Sequence, residues 1–226
     1  MCGRVAIPPG EVIVRELKLA YDGEDRPANI NVPPTEKVPL VTASKPGKLQ
    51  YFTWSVIPPY ARSGVPDFKL STFNAMVERL EESQLWQPLL GKKHCVVITE
   101  GFYEWQYGDP VKKKNGVPHL IRARNSRFTF LAGLWEVWTD RQTGELIPSC
   151  TVITLPANPL MASIHNTKGR MPAFLTPETQ KIWLDQELPF TERKKVLEPV
   201  PDEFLEAFKV KKVGDEAEYQ SLVPLC

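Results

Sequence analysis

The chain is poor in soft metal ligands: its 226 residues include four cysteines and three histidines, and no two cysteines form a C-x-x-C pair. Zinc-site spacing is therefore absent, and neither a metal nor a cofactor is expected. No run of about 18 apolar residues occurs, which excludes a transmembrane helix. The start lacks the basic-then-apolar layout of a secretory signal, so the sequence reads as cytoplasmic. An excess of one charge sign is also missing. With 28 Lys and Arg against 27 Asp and Glu, the net charge is +1, and the chain as a whole is not a basic nucleic-acid binder. Local clusters such as Lys112-Lys113-Lys114 and Lys209/Lys211/Lys212 read first as solvated faces. Any phosphate affinity should be modest, because each neutralised phosphate adds its own salt-dependent increment.

The length suits one sizeable core. Apolar residues near a 3.6 period predict helices over 11–20 and 75–90, with a further short helix over 157–164. Thr176 as N-cap and Pro177 at the first helical position open another helix running through Trp183, and a short one follows over 191–197. Strand patterns cover 37–42, 49–54, 94–99, 118–123, 128–137, 149–155, 171–174 and 208–213. Asn115-Gly116 and Asn125-Ser126 supply turn chemistry for antiparallel hairpins. The β–α–β alternation of a doubly wound sheet is missing, and no linker or repeat divides the chain, so a single α+β domain over 1–226 is expected.

Cys95 and Cys150 sit in β-prone apolar runs and read as buried, inert thiols; Cys226 ends the chain without context. Cys2, in Met1-Cys2-Gly3, is different. Methionine removal would leave an α-amine and a thiol on one residue. The amine, with an ordinary pKa of about 7.7–8.0, attacks an aldehyde to give a Schiff base, and the thiol closes a thiazolidine ring. The alternative is that cysteine stands second by accident. Three further segments carry polar chemistry. Asn74, in Thr72-Phe73-Asn74-Ala75-Met76, sits where a helix N-cap would fall. Glu104, in Glu100-Gly101-Phe102-Tyr103-Glu104-Trp105, is flanked by aromatics, whose desolvation would suit it to proton transfer, unless it simply points to water. His165 lies in a polar, glycine-bearing loop, whereas His94 and His119 abut strands and read as structural. Aldehyde capture needs a base for the α-ammonium, an acid to expel water and donors to hold the sugar. Cys2, Asn74, Glu104 and His165 are a chemically sufficient set.

In order along the chain, Cys2-Gly3-Arg4, Asn31-Val32-Pro33-Pro34, Phe73-Asn74-Ala75 with Glu78, Glu100 to Trp105, Ala132-Gly133-Leu134-Trp135-Glu136 and Ile164-His165 with Arg170-Met171-Pro172 resemble the SRAP family. These are the SOS-response-associated peptidases, or abasic-site processing proteins, and the resemblance runs from Cys2 to about residue 184. It implies a mainly antiparallel, twisted or barrel-like sheet core with flanking helices. It also implies a monomer that binds single-stranded DNA containing abasic sites, joining the nucleoid when bound, and forms a thiazolidine crosslink through Cys2. Glu104 and His165 would serve the acid and base steps, and Asn74 would orient the lesion or the N-terminus. Arg4 and Arg170 match positions that hold phosphates; Trp105 and Pro34 match positions that line the DNA or stack on a base.

Three departures stand out. Met76 replaces the family's usual arginine, with Arg79 nearby as a substitute. The segment 166–169 lengthens the spacing between His165 and Arg170. The C-terminal stretch from Val213 has no counterpart. Rival readings remain. Class II glutaminase domains, N-terminal-nucleophile amidohydrolases, also begin Met-Cys-Gly, although Asn115-Gly116, the one Asn-Gly pair, reads as a turn. A thiol-dependent (auto)peptidase needs only Cys2, a base and an oxyanion site. A non-covalent reader of modified bases would tolerate Cys2→Ala.

Overall fold

The computed structural model describes residues 2–64 and 71–223, so Met1 and Cys226 lie outside the described residues. In chain order the strands are β1 (Val5–Ile7), β2 (Asn29–Val32), β3 (Lys37–Thr42), β4 (Lys45–Trp54), β5 (Asn74–Met76), β6 (His94–Thr99), β7 (Gly101–Asp109), β8 (Lys114–Ala123), β9 (Thr129–Thr139), β10 (Leu146–Pro156), β11 (Arg170–Pro172) and β12 (Leu205–Lys209). The helices are α1 (Gly10–Leu17), α2 (Pro159–Ile164), α3 (Pro177–Leu184), α4 (Phe190–Arg193) and α5 (Glu216–Leu222).

Five strands close on themselves. β10 pairs with β4, β4 with β3, β3 with β6, β6 with β9, and β9 with β10 again, making a barrel without open edges. β5 and β11 extend it along β10. Most pairings are antiparallel, as the hairpin signals imply, but β10 runs parallel to both β4 and β5, so the sheet is mixed. The expected α+β fold with a barrel-like core is what the chain adopts. A second sheet, in the order β12-β8-β7-β1-β2, packs one face, carrying Phe102 and Ile121, into the main core. Its other face, with Tyr103 and Leu120, is covered by Tyr219 and Val223. β7 begins at a glycine because a Cβ at Gly101 would lie 2.7 Å from the Ile121 carbonyl oxygen.

The capped helix forms as its sequence dictates. Thr176 Oγ1 accepts from the Thr179 amide while the Thr176 amide donates to Thr179 Oγ1, a reciprocal capping box ahead of Pro177. α3 buries Trp183 fully, its ring 3.9 Å from that of His94.

The helix expected over 75–90 does not form. Residues 74–76 are extended and pair with Val152, Ile153 and Thr154, followed by separate 3-10 turns at Val77–Arg79 and Gln87–Leu89. Pro88 removes a donor and blocks a continuous helix, and the backbone groups of β5 find partners on β10 instead. Asn74 is therefore not a helix cap. The strand expected over 208–213 lies earlier, at β12, and the one over 171–174 is confined to β11. Asn115, with φ of 55°, falls within β8, and the hairpin turns just before it.

Candidate active site

The site is built where β7, β5 and the loop after α2 meet the chain start. β1 is short: Val5 faces Phe102, and the Tyr103 amide donates to the Arg4 carbonyl. This lays the preceding residues along β7 and buries Cys2 to 1 % exposure. From β5, Asn74 Nδ2 donates to the Cys2 carbonyl at 2.9 Å. Losing the cap role thus freed this side chain for the N-terminus. Asn74 Oδ1 is buried without a hydrogen-bond partner.

The surroundings of Cys2 disfavour a thiolate. Burial pushes its thiol far above the usual range, and the Glu104 carboxylate pushes it further. Glu104 sits inside β7 rather than at a strand end, and is buried. Its Oε1 accepts from the Trp105 amide at 3.1 Å, and its Oε2 lies 3.8 Å from His165 Nδ1. The His165 ring is fixed by the shorter contact from Nδ1, 2.9 Å to the Arg170 carbonyl. The Arg170 amide also points at Nδ1, at 3.3 Å, so the Arg170 backbone brackets this ring nitrogen and sets the ring's orientation. Burial lowers the His165 pKa against the opposing pull of Glu104, which keeps the ring neutral near pH 7.

The longer spacing after His165 has a structural explanation. Beyond Tyr103 the edge of β7 that faces β1 has no strand beside it. Asn166 takes that place: the Tyr107 amide donates to Asn166 Oδ1 at 3.1 Å, and Asn166 Nδ2 donates to the Tyr107 carbonyl at 2.7 Å. Gln106 Nε2 adds a bond to the Ser163 carbonyl. The loop then folds back, the Gly169 amide reaching the His165 carbonyl at 2.9 Å with Gly169 at φ of 55°.

Arg170 is buried and committed. Its guanidinium makes a two-pronged ion pair with Glu78 at 2.5 and 2.9 Å, and Nη2 also donates to the Thr154 carbonyl at 2.6 Å. Its backbone oxygen orients His165, so the residue ties the segment after β5 to the histidine loop. Glu78 was part of the recognised motif, yet nothing in the sequence shows that it would meet Arg170 across 92 positions. The other expected DNA contacts are more peripheral. Arg4 Nη1 donates to Asn31 Oδ1 at 3.0 Å, and Pro34 is half-buried in the connection after β2. Trp105 alternates to the face of β7 opposite Glu104, where it packs on the cluster of Ala6, Tyr103 and Leu120. Arg79 is exposed on its 3-10 turn.

His94 is structural, whereas His119 lies on β8 directly opposite Glu104, its Nδ1 3.0 Å from the Val117 carbonyl. The His94 Nδ1–H donates to the Trp183 carbonyl and Nε2 accepts from the Gly91 amide, while burial and Arg193 lower its pKa to about 3. Among the described residues no group of three or more His, Cys, Asp or Glu side chains is arranged to hold a metal.

A buried cysteine at position 2, its carbonyl held by an asparagine, thus sits beside a glutamate–histidine pair on a mixed β-barrel. Residues 1–215 match the family model described as SOS response associated peptidase (SRAP), and the chain belongs to this family. It is 32% identical over 190 residues to the abasic site processing protein YobE of Bacillus subtilis (strain 168), covering 82% of each chain. It is 30% identical to YoqW of the same organism over 216 residues, 93% of this chain and 92% of that one. The abasic site processing protein HMCES of Xenopus tropicalis is 32% identical over 164 residues, 65% of this chain and 48% of that protein. A crystal structure of a Bacteroides thetaiotaomicron protein superposes with a TM-score of 0.83 at 25% identity, covering both chains fully.

Proposed function

We propose that the protein, once Met1 is removed, captures the ring-opened aldehyde of an abasic site in single-stranded DNA as a thiazolidine on Cys2. The observation that carries this reading is the pairing of Cys2 with Asn74 beside Glu104 and His165. The free α-amine of Cys2 adds to the aldehyde carbon to give a carbinolamine. Protonation of its hydroxyl expels water and leaves the imine. The thiol then adds across the C=N bond, its proton passing to nitrogen. The sum is aminothiol plus aldehyde to thiazolidine plus one water. His165 and Glu104, the proton-exchanging side chains beside Cys2, would serve the base and acid steps between them. Asn74 Nδ2 holds the Cys2 carbonyl so that the amine is aimed, and its unpartnered Oδ1 offers an acceptor for a sugar hydroxyl.

The state of the thiol separates this reading from its rivals. A peptidase or amidohydrolase attacks first with sulfur and gains from a thiolate; here burial and Glu104 hold the thiol protonated. Amine-first chemistry tolerates that, because the sulfur acts only after the imine has formed. Arg4 and Arg79 would lie toward the phosphates, with Pro34 as an apolar contact; Trp105 packs on the far face of β7, away from Glu104. Given its commitment to Glu78, Arg170 serves chiefly to position His165.

The test is incubation of mature protein with single-stranded DNA carrying an abasic site, followed by denaturing electrophoresis and intact mass. A heat- and SDS-resistant adduct is expected, and Cys2→Ala abolishes it. Normal crosslinking by Cys2→Ala, or by protein with a blocked N-terminus, excludes the mechanism. Ammonia release from glutamine would favour the amidohydrolase.

A further inference from the structure

Thiazolidine formation at neutral pH leaves a proton to dispose of. The α-amine, with an ordinary pKa of about 7.7–8.0, is then mostly ammonium, and the Cys2 thiol is held protonated. Ammonium plus aldehyde gives iminium plus water. Addition of sulfur then makes the C–S bond and frees the thiol proton. The sum is ammonium, thiol and aldehyde to thiazolidine, one water and one proton. That proton is released among Cys2, Glu104 and His165, which are 1, 6 and 2% exposed. A site so enclosed needs a way out for it.

The second sheet supplies one. β7 and β8 pair so that Glu104 stands opposite His119, and β8 and β12 pair so that His119 stands opposite Lys209. Directly opposed residues point to one face, with Cβ atoms about 4.5–5.5 Å apart. Carboxylate, imidazole and ammonium therefore form one row across three strands. The row begins beside Cys2 and ends on β12, the edge of the sheet, where Lys209 is exposed.

His119 is buried, and its ring is oriented. Nδ1 lies 3.0 Å from the Val117 carbonyl, the ring's one hydrogen-bond partner among the described residues. A carbonyl oxygen only accepts, so Nδ1 carries the proton and Nε2 bears the lone pair. Burial lowers the pKa of the ring, the Val117 contact opposes this, and the Lys209 charge lowers it further. The groups around it are Glu104 and the neutral Gln106 from β7, Lys209 from β12, and His165 beyond Glu104. Packing alone would be served as well at this strand position by an aromatic or β-branched side chain.

We propose that His119 is the proton outlet of the site, its Nε2 taking the proton from Glu104, directly or across one water, and releasing it at the β12 edge. The O–H bond of Glu104 breaks and the Nε2–H bond forms; loss of that proton to water restores the neutral ring, and Glu104 is again a carboxylate. The same path run backwards brings in the proton that opening of the thiazolidine consumes. Lys209, at the mouth, disfavours a lasting imidazolium, so the proton moves on. His119 acts through Glu104 and touches no reacting atom. The inference rests on the crosslinking reading above.

The experiment uses mature full-length protein and single-stranded DNA with one abasic site, followed as single-turnover adduct formation. Affinity is measured separately on a tetrahydrofuran analogue, which cannot crosslink. His119→Phe keeps a ring suited to a strand but carries no proton. It should bind the analogue as the parent does and crosslink about a hundredfold more slowly, the lower end of what a positioned proton carrier contributes. His119→Ala should be similarly slow, and added imidazole should restore its rate in proportion to the neutral base present, while Glu104→Gln gains nothing. Parental rates in His119→Phe overturn the outlet and leave the crosslinking reading standing. A slow His119→Ala that imidazole leaves slow assigns His119 to packing and also overturns it. Absence of any adduct from the parent fails the crosslinking reading, and the outlet falls with it.

Discussion

At the scale of single residues, the site separates the group that attacks from the groups that move protons. Burial lowers His165 below the ordinary imidazole value, which favours its neutral form over that of a free imidazole. The α-amine, with an ordinary pKa of about 7.7–8.0, protonates first. The crosslinking rate should therefore rise with pH to about 8 and then level off, as single-turnover kinetics across pH would show. Glu104→Gln and His165→Ala should each slow formation or reversal by about a hundredfold, the usual scale of general acid–base assistance; unaltered kinetics in both would remove their roles. His94 makes a separate prediction about stability. Its folded pKa of about 3 lies below that of the unfolded chain, so the unfolded state binds the extra proton first. Stability is complete above about pH 6.5 and is lost as pH falls toward 3, by up to roughly 4 kcal/mol from this group. His94→Gln should flatten that part of a pH series of denaturant melts.

At the scale of elements, the loop that carries His165 depends on Asn166. Its paired bonds to Tyr107 substitute for a missing neighbouring strand, and Asn166→Ala removes both. A stability loss of about 1–2 kcal/mol is expected, together with slower crosslinking at unchanged DNA affinity. Separate measurement of binding and of single-turnover rate would distinguish this from general damage. This loop also shows where sequence reading stopped. The four residues between His165 and Arg170 registered only as a departure in spacing, because a side chain pairing with a strand edge has no local signature. Asn74 failed for a related reason. Its neighbours have helical periodicity over a few residues, but the parallel partner that makes them a strand lies almost eighty positions away on β10. By contrast, the Thr176-Pro177 helix start and the structural nature of His94 were legible, since caps and strand positions are set locally. Cys2, Asn74, Glu104 and His165 were recognisable as a set because their residue types fit one chemistry. That Asn74 reaches the Cys2 carbonyl, and that Glu78 holds Arg170, required the fold.

At the scale of the molecule, the closed barrel leaves little room for change at its tightest crossing. A Cβ at Gly133 would sit 2.5 Å from the Thr151 carbonyl oxygen and 2.9 Å from Cys95 Sγ, both fixed in paired strands. Gly133→Ala should cost about 1–3 kcal/mol by overpacking, read as a fall in Tm of several degrees for a chain this long. Gly144→Ala, in open space at the hairpin tip with φ of 75°, should cost less, because it meets only backbone strain. The same closure has a temporal side. β10 completes the ring by joining β9 to β4, and the loop with His165 and Arg170 follows it in the chain. During synthesis, the start of the chain is thus outside the protein long before the walls of its pocket exist. If Met1 is removed as proposed, the bond that must be cut adjoins Cys2, which folding buries, so translation provides the interval in which an aminopeptidase can reach it. On the proposed mechanism, an aminothiol uncapped first and enclosed last is kept from stray aldehydes only by how quickly the rest of the chain arrives.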